Sequence, residues 1–93
     1  MAVKLHRDRV PLRIDGHPCW RVEKALIDAG IPYEVVSEPV RRSRRARVIE
    51  ATGQQLLPAI EFPDGRWLFE GSAELAARIR SGQLFEVPPP DAA

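Results

Sequence analysis

The 93-residue chain holds one cysteine, Cys19, and two histidines, His6 and His17. Cys19 falls in the first turn of a helix, because Pro18 suits that turn and an apolar stripe begins at the cysteine. There the helix dipole, with Arg21 or His17 close by, would lower the thiol pKa and create a nucleophile. The same stripe supplies the competing reading. Cys19, Val22, Leu26 and Ala29 recur at helical spacing, and unpaired cysteine is among the most buried residue types. Periodicity therefore favours packing over chemistry at Cys19. A lone cysteine also excludes an internal disulfide, a cysteine-rich zinc site and a dithiol centre acting alone. His17, beside the helix start, could donate or accept a proton. No acid, base or metal-ligand spacing accompanies it in the sequence, and no metal is expected.

Two further groups carry chemistry. Gly71-Ser72 opens the last helix, and a helix N-terminus with a hydroxyl suits a carboxylate. The run Arg41-Arg42-Ser43-Arg44-Arg45-Ala46-Arg47 allows three readings: a phosphate-binding helix for nucleic acid or acidic lipid, an arginine for a ligand carboxylate, or a solvated face. No aromatic residues interleave it, since Trp20 and Trp67 lie in other elements. A pI near 8.0 also falls short of a dedicated nucleic-acid binder, so nucleic acid is not an expected partner. The solvated face is the favoured reading.

Composition bounds these options. With 44% hydrophobic and 29% charged residues the chain is globular, and its length allows one domain with a modest core. The net charge of +1 divides into +5 over residues 1–47 and −4 over 48–93. The start MAVKLHRDRV has no apolar leader core, and no stretch approaches the roughly 18 apolar residues of a membrane span. A reduced cytoplasmic protein is the expectation, with no membrane contact.

The elements that must position these residues follow from pattern. Val3 to His6 alternates as a strand, and a polar connector with Pro11 and Asp15-Gly16 follows. Residues 18–29 form a helix, with Arg21, Glu23, Lys24 and Asp28 mostly off its apolar stripe and Gly30 as its stop. Tyr33 to Val36 is a second strand. Pro39 to Thr52 reads as one helix with Val40, Val48 and Ala51 inward and the arginines outward, closed by Gly53. Strands at Leu56–Phe62 and Arg66–Phe69 are joined by a hairpin turn at Pro63-Asp64-Gly65. Ser72 is the expected N-cap of a last helix with Leu75, Ala76 and Ile79 inward and Gly82 as its stop. Pro58 demands a cis bond, an edge or a bulge. Residues 1–87 make one domain, and the Pro-rich end, 88–93, is expected to be a mobile tail.

The order β-α-β-α-β-β-α, with a parallel crossover followed by an antiparallel hairpin, gives an α/β fold with a four-stranded mixed sheet flanked by three helices. On Cys19-Trp20-Arg21-Val22 through Ala29-Gly30-Ile31-Pro32-Tyr33-Glu34, Leu57-Pro58-Ala59-Ile60, Asp64-Gly65 and Gly71-Ser72-Ala73-Glu74-Leu75, the chain resembles thioredoxin-like domains. The type is that of glutaredoxins and glutathione S-transferase N-terminal domains, over residues 3–84. The ungapped match puts Gly16-His17-Pro18-Cys19 on the CxxC tetrad of that fold, with Gly16 at the attacking cysteine and Cys19 at the resolving one. A one-residue shift would match His17-Pro18 to the Cys-Pro of glutaredoxin. It would turn Glu23 toward the core and break the Gly30-Ile31 match, so the ungapped register is taken.

The resemblance implies a site. In those families the backbone of the residue before the cis-proline pairs with the cysteinyl part of glutathione, here Leu57 before Pro58. The residues opening the last helix, here Gly71 and Ser72, hold the γ-glutamyl group, and basic residues near the Arg41–Arg47 run meet a ligand carboxylate. Two departures stand out. Ala73 replaces the acidic residue that follows in glutaredoxins, and Gly71 replaces the glutamate of the transferases, with Glu70 one place early. The expected function is recognition of glutathione, another low-molecular-weight thiol such as mycothiol, or a thiol-bearing protein, at Gly16, His17, Leu57, Pro58, Gly71 and Ser72. At most weak monothiol redox activity at Cys19 accompanies it. The alternative is a non-catalytic interaction module using the arginine helix, and a homodimer is left open. In transferases the electrophile binds a second, helical domain, which lies outside these 93 residues.

Overall fold

Alternation along the first strand divides the structure into two layers. A computed structural model of the chain describes residues 2–8, 14, 16–39 and 41–86. The expected tail at 88–93, Pro11, Asp15 and Val40 lie outside the described residues. Strand β1 (Val3–Asp8) runs parallel to β2 (Tyr33–Glu38) through helix α1 (Pro18–Asp28). Strand β3 (Ala59–Glu61) pairs antiparallel with β1, and β4 (Trp67–Leu68) antiparallel with β3. Helices α2 (Ala46–Thr52) and α3 (Ser72–Arg80) complete the fold, with 3₁₀ turns at Arg42–Arg44 and Leu84–Glu86. The sheet order is β2-β1-β3-β4, the mixed α/β arrangement expected from the sequence.

Val3 and Leu5 of β1 face α1 and α3, where Val22, Leu26, Ile60, Leu75 and Ile79 close the core. Each such large aliphatic side chain contributes about 1.5–3 kcal/mol through burial. Both core helices end alike. After α1, Gly30 takes φ 70°, its N–H donates to the Ile27 carbonyl (3.1 Å), and the Ile31 N–H donates to that of Leu26 (3.0 Å). Gly82 and Gln83 repeat the pattern after α3. Only a residue free to adopt the left-handed region makes this double closure cheaply, and Ile31 then folds back onto the core.

The opposite sheet face is polar. His6, fully buried, bridges Glu38 on β2 (Nδ1–Oε2 2.7 Å) and Glu61 on β3 (Nε2–Oε1 2.9 Å), and the Trp67 ring stacks on it at 4.4 Å. This network ties all four strands together from one residue of the central pair.

Several expectations are corrected. The helix expected over Pro39–Thr52 divides into the Arg42–Arg44 turn and α2, because Arg45 turns inward rather than outward. Its guanidinium donates to the carbonyls of Pro39 (2.8 Å) and Gln55 (2.7 Å), and its own backbone (φ −86°, ψ 64°) interrupts the helix. Ala51 and Ala29, expected inward, are exposed. Glu23, expected mostly off the apolar stripe, is buried against Arg7, and the Tyr33 hydroxyl donates to it at 2.8 Å. Ser72 is the first residue of α3 and Gly71 is its N-cap. Strands β1 and β2 each run two residues further than expected, while β3 and β4 are shorter.

Candidate functional site

The head of α1, the end of β1, the Arg42–Arg44 turn and Leu57 surround a cavity of about 140 Å³. Its walls include Asp8, His17, Cys19, Arg42, Arg45 and Leu57. Chain direction explains the meeting. Parallel crossovers bring the C-terminal end of β1 to the start of the following helix, where helix-head groups gather. The Leu57-Pro58 bond is cis, with Pro58 fully buried and Leu57 half-buried beside the cavity.

Cys19 is only 3% exposed, among the apolar residues that continue along α1. Burial pushes its thiol up from the ordinary range. The Asp8 backbone contact and the charges of Arg7 and Arg45 offset part of that effect. The sulfur is thus a protonated, shielded wall of the cavity.

His17 is the N-cap residue of α1, with extended backbone and no side-chain cap bond. Its Nε2 lies 3.6 Å from Asp8 Oδ2. Its Nδ1 and Asp8 Oδ1 are shielded from solvent and have no hydrogen-bond partner among the described residues. Asp8 was not singled out from the sequence. The alternation that marked the first strand reaches it if continued two residues past His6, and that was the available signal.

The other expected residues lie apart from this cavity. Gly16 takes φ 92° and lines a separate groove of about 190 Å³ with Trp20, Arg21, Lys24 and Arg80. Ser72 Oγ accepts a hydrogen bond from Arg21 (2.8 Å), which joins the head of α3 to that groove. At Gly71 the Glu74 carboxylate folds back so closely that an added Cβ would meet it. The place expected to take a ligand carboxylate is thus partly filled by one of the chain's own. Glu70, one position early, is paired with Arg78 at 2.5 Å. Of the arginine run, Arg41, Arg42 and Arg44 are exposed, while Arg47 lies 3.5 Å from Glu61.

Two larger concavities lie elsewhere. One of about 430 Å³ is bordered by Arg47, Glu50 and Trp67, and one of about 370 Å³ by Lys4, Glu34 and Glu61. Neither borders the thiol or Leu57. Among the described residues no group of three or more His, Cys, Asp or Glu could hold a metal ion. No helix among them is long and apolar enough to cross a membrane.

Residues 14–82 match the family model of the glutathione S-transferase N-terminal domain. The chain belongs to that family. Solved structures show the transferase-type fold. A diazinon-metabolizing glutathione S-transferase of the silkworm Bombyx mori is similar at 22% identity and TM-score 0.68, covering 98% of this chain and 44% of that one. A trimeric glutathione transferase of Leishmania is similar at 20% identity and TM-score 0.68, covering 98% and 18%. A glutathione transferase homologue of Sulfitobacter, solved with bound glutathione, is similar at 18% identity and TM-score 0.63, covering 98% and 42%. This transferase-type domain therefore spans less than half of each of those chains. No curated protein matches it in sequence.

Proposed function

We propose that this transferase-type domain recognises glutathione, another low-molecular-weight thiol, or a thiol-bearing partner protein at the cavity beside Leu57. The observation that carries the reading is the meeting of His17, Cys19 and Leu57 with Arg42 and Arg45 around one small cavity. A thiol would lie against Leu57, and an anionic end would face the arginines. The Sulfitobacter homologue with bound glutathione supports this choice of ligand. The burial of Cys19 and its raised pKa weigh against monothiol redox chemistry, since thiolate is the attacking species. A ligand carboxylate at Gly71 and Ser72 would have to displace the Glu74 carboxylate from the head of α3.

Calorimetric titration with reduced glutathione, repeated with mycothiol, tests the reading. Saturable heat is expected near millimolar ligand, about −4 kcal/mol of binding free energy. It should weaken in Arg42→Ala. Absence of heat with both thiols rejects the proposal.

A second reading has its own observation. Arg41, Arg42 and Arg44 are exposed, and no acidic partner is recorded for them among the described residues. An interaction module would use this surface for an acidic protein, and would bind with a steep salt dependence.

A further inference from the structure

No aromatic residue interleaves the arginine run in the sequence, which leaves it without a platform for a base. Folding changes that neighbourhood. Helix α2 packs against β4, and the last arginine of the run, Arg47, comes to border the same concavity as Trp67. Arg47, Glu50 and Ala51 share one face of α2 at helical spacing. Trp67 stands opposite Glu61 in the β3–β4 ladder, so both lie on the polar face of the sheet, while Ile60 and Leu68 enter the core. His6 stacks on the indole, which is nevertheless only half-buried. The space measures about 430 Å³, within the roughly 300–1,000 Å³ of small-ligand sites. It stays open because the residues bordering it include the small Ala51 and Gly65.

We propose that this concavity binds a nucleoside phosphate, free or at the end of a strand. The base lies against Trp67, the phosphate meets Arg47 and Arg66, and an exocyclic amino group of the base donates to Glu50. The site is separate from the cavity beside Leu57 and does not depend on thiol recognition.

Each part of such a ligand meets a group able to receive it. The indole offers a flat ring, and stacking on an aromatic side chain suits the face of any base. The Arg47 side chain is 63% exposed, and its contact with Glu61 Oε2, at 3.5 Å, is at the outer limit of a hydrogen bond. A phosphate oxygen would therefore displace little there and would gain a charge-assisted bond. Arg66 is anchored at the rim, its Nε donating to Asp64 Oδ2 (2.7 Å) and its guanidinium 5.1 Å from the centre of the Phe62 ring. The nearby carboxylates of Asp64 and Glu61 are engaged, one by Arg66 and the other by His6. Glu50 is exposed and has no hydrogen bond or ion pair among the described residues. Its carboxylate is thus the acceptor left for an amino group on the base.

The test is a nuclear magnetic resonance titration with adenosine monophosphate that follows the Trp67 indole N–H, with Trp20→Phe used to tell the two indole signals apart. The Trp67 signal should move saturably, with half-saturation at about millimolar nucleotide or below. Ribose 5-phosphate, which lacks the base, and adenosine, which lacks the phosphate, should each bind at least about tenfold more weakly. Inosine monophosphate carries a carbonyl in place of the amino group and should bind about threefold more weakly, a difference that Glu50→Gln should remove. Arg47→Ala removes an exposed cation, and Ala51→Phe fills the space without changing charge. Each should weaken the nucleotide about tenfold while the domain melts like the parent. A single-stranded adenine hexanucleotide separates the two sources. Affinity equal to the mononucleotide assigns the site to free nucleotides, and tighter binding that falls steeply with salt assigns it to a strand. A Trp67 signal that neither ligand moves overturns the proposal, as does nucleotide binding unchanged in both Arg47→Ala and Ala51→Phe. Displacement of the nucleotide by glutathione would merge this site with the thiol cavity and overturn it as well.

Discussion

The inward turn of Glu23 fixes how α1 is rotated, and so where Cys19 and His17 point. Replacing Glu23 with alanine tests that rotation. Arg7 and Glu23 are 3% and 4% exposed, and their side chains form a direct ion pair that the Tyr33 hydroxyl joins. Removing one member of a buried pair costs about 3–5 kcal/mol, because the remaining charge stays buried after losing its direct ion-pair partner. A domain of this length has roughly 5–14 kcal/mol in total, so the loss is a large fraction of it. With a urea m-value of about 1.5 kcal/mol/M, the unfolding midpoint should fall by about 2–3 M. In a thermal scan the same loss is a fall of well over 10 °C. Paired replacement, Arg7→Met with Glu23→Leu, should recover most of the loss, because it removes both charges and keeps the volume. A Glu23→Ala midpoint within about 0.5 M of the parent would place Glu23 on the surface. It would refute the rotation of α1 on which the site depends.

Other outcomes follow from the same geometry. Cys19 should resist iodoacetamide in the folded domain and react rapidly in urea, since its thiol is buried and raised; fast labelling of the native domain would place the sulfur at the surface. Because its folded pKa lies above the unfolded value, Cys19 contributes stability below the ordinary thiol range that is lost as pH rises through the folded pKa. Cys19→Val should flatten that alkaline loss, and an unchanged alkaline profile would assign it to other groups. His6→Leu leaves Glu38 and Glu61 without their shared partner and Trp67 without its stacked ring, so about 2–4 kcal/mol of stability should go, with altered Trp67 fluorescence. Melting like the parent would show that the bridge is dispensable.

Much of the fold is legible because its signals are local. Pro18 and Gly30 bracket α1, Asp64-Gly65 turns the hairpin, and Pro58 marks a bond that is cis in the structure. What escapes pattern reading is charge that satisfies itself over distance. Glu23 looks like a solvent-facing residue until Arg7 on a strand 16 positions earlier is known to face it. Arg45 looks like one more member of a basic face until carbonyls on either side of it claim its guanidinium. The same blindness touches the match to the CxxC tetrad. The inward Glu23 removes one argument against the one-residue shift, and the Gly30-Ile31 closure remains the argument for the ungapped register. Around the site, His17, Cys19 and Leu57 share a cavity, whereas Asp8 required the true end of β1. Gly71 and Ser72 do not line that cavity, and the head of α3 meets Arg21 of α1 instead.

The imidazole of His6 also acts as an alignment key for the sheet. A slip of β1 by one residue would exchange its two faces, since side chains alternate along a strand. His6 would then enter the apolar layer in place of Leu5, and two acidic residues on neighbouring strands would lose their common partner. Such a mispaired sheet carries penalties on both of its surfaces at once. A sheet whose fourth strand has only two residues draws little fidelity from its own edge ladder, so this polar bridge selects the one pairing in which Asp8 reaches His17.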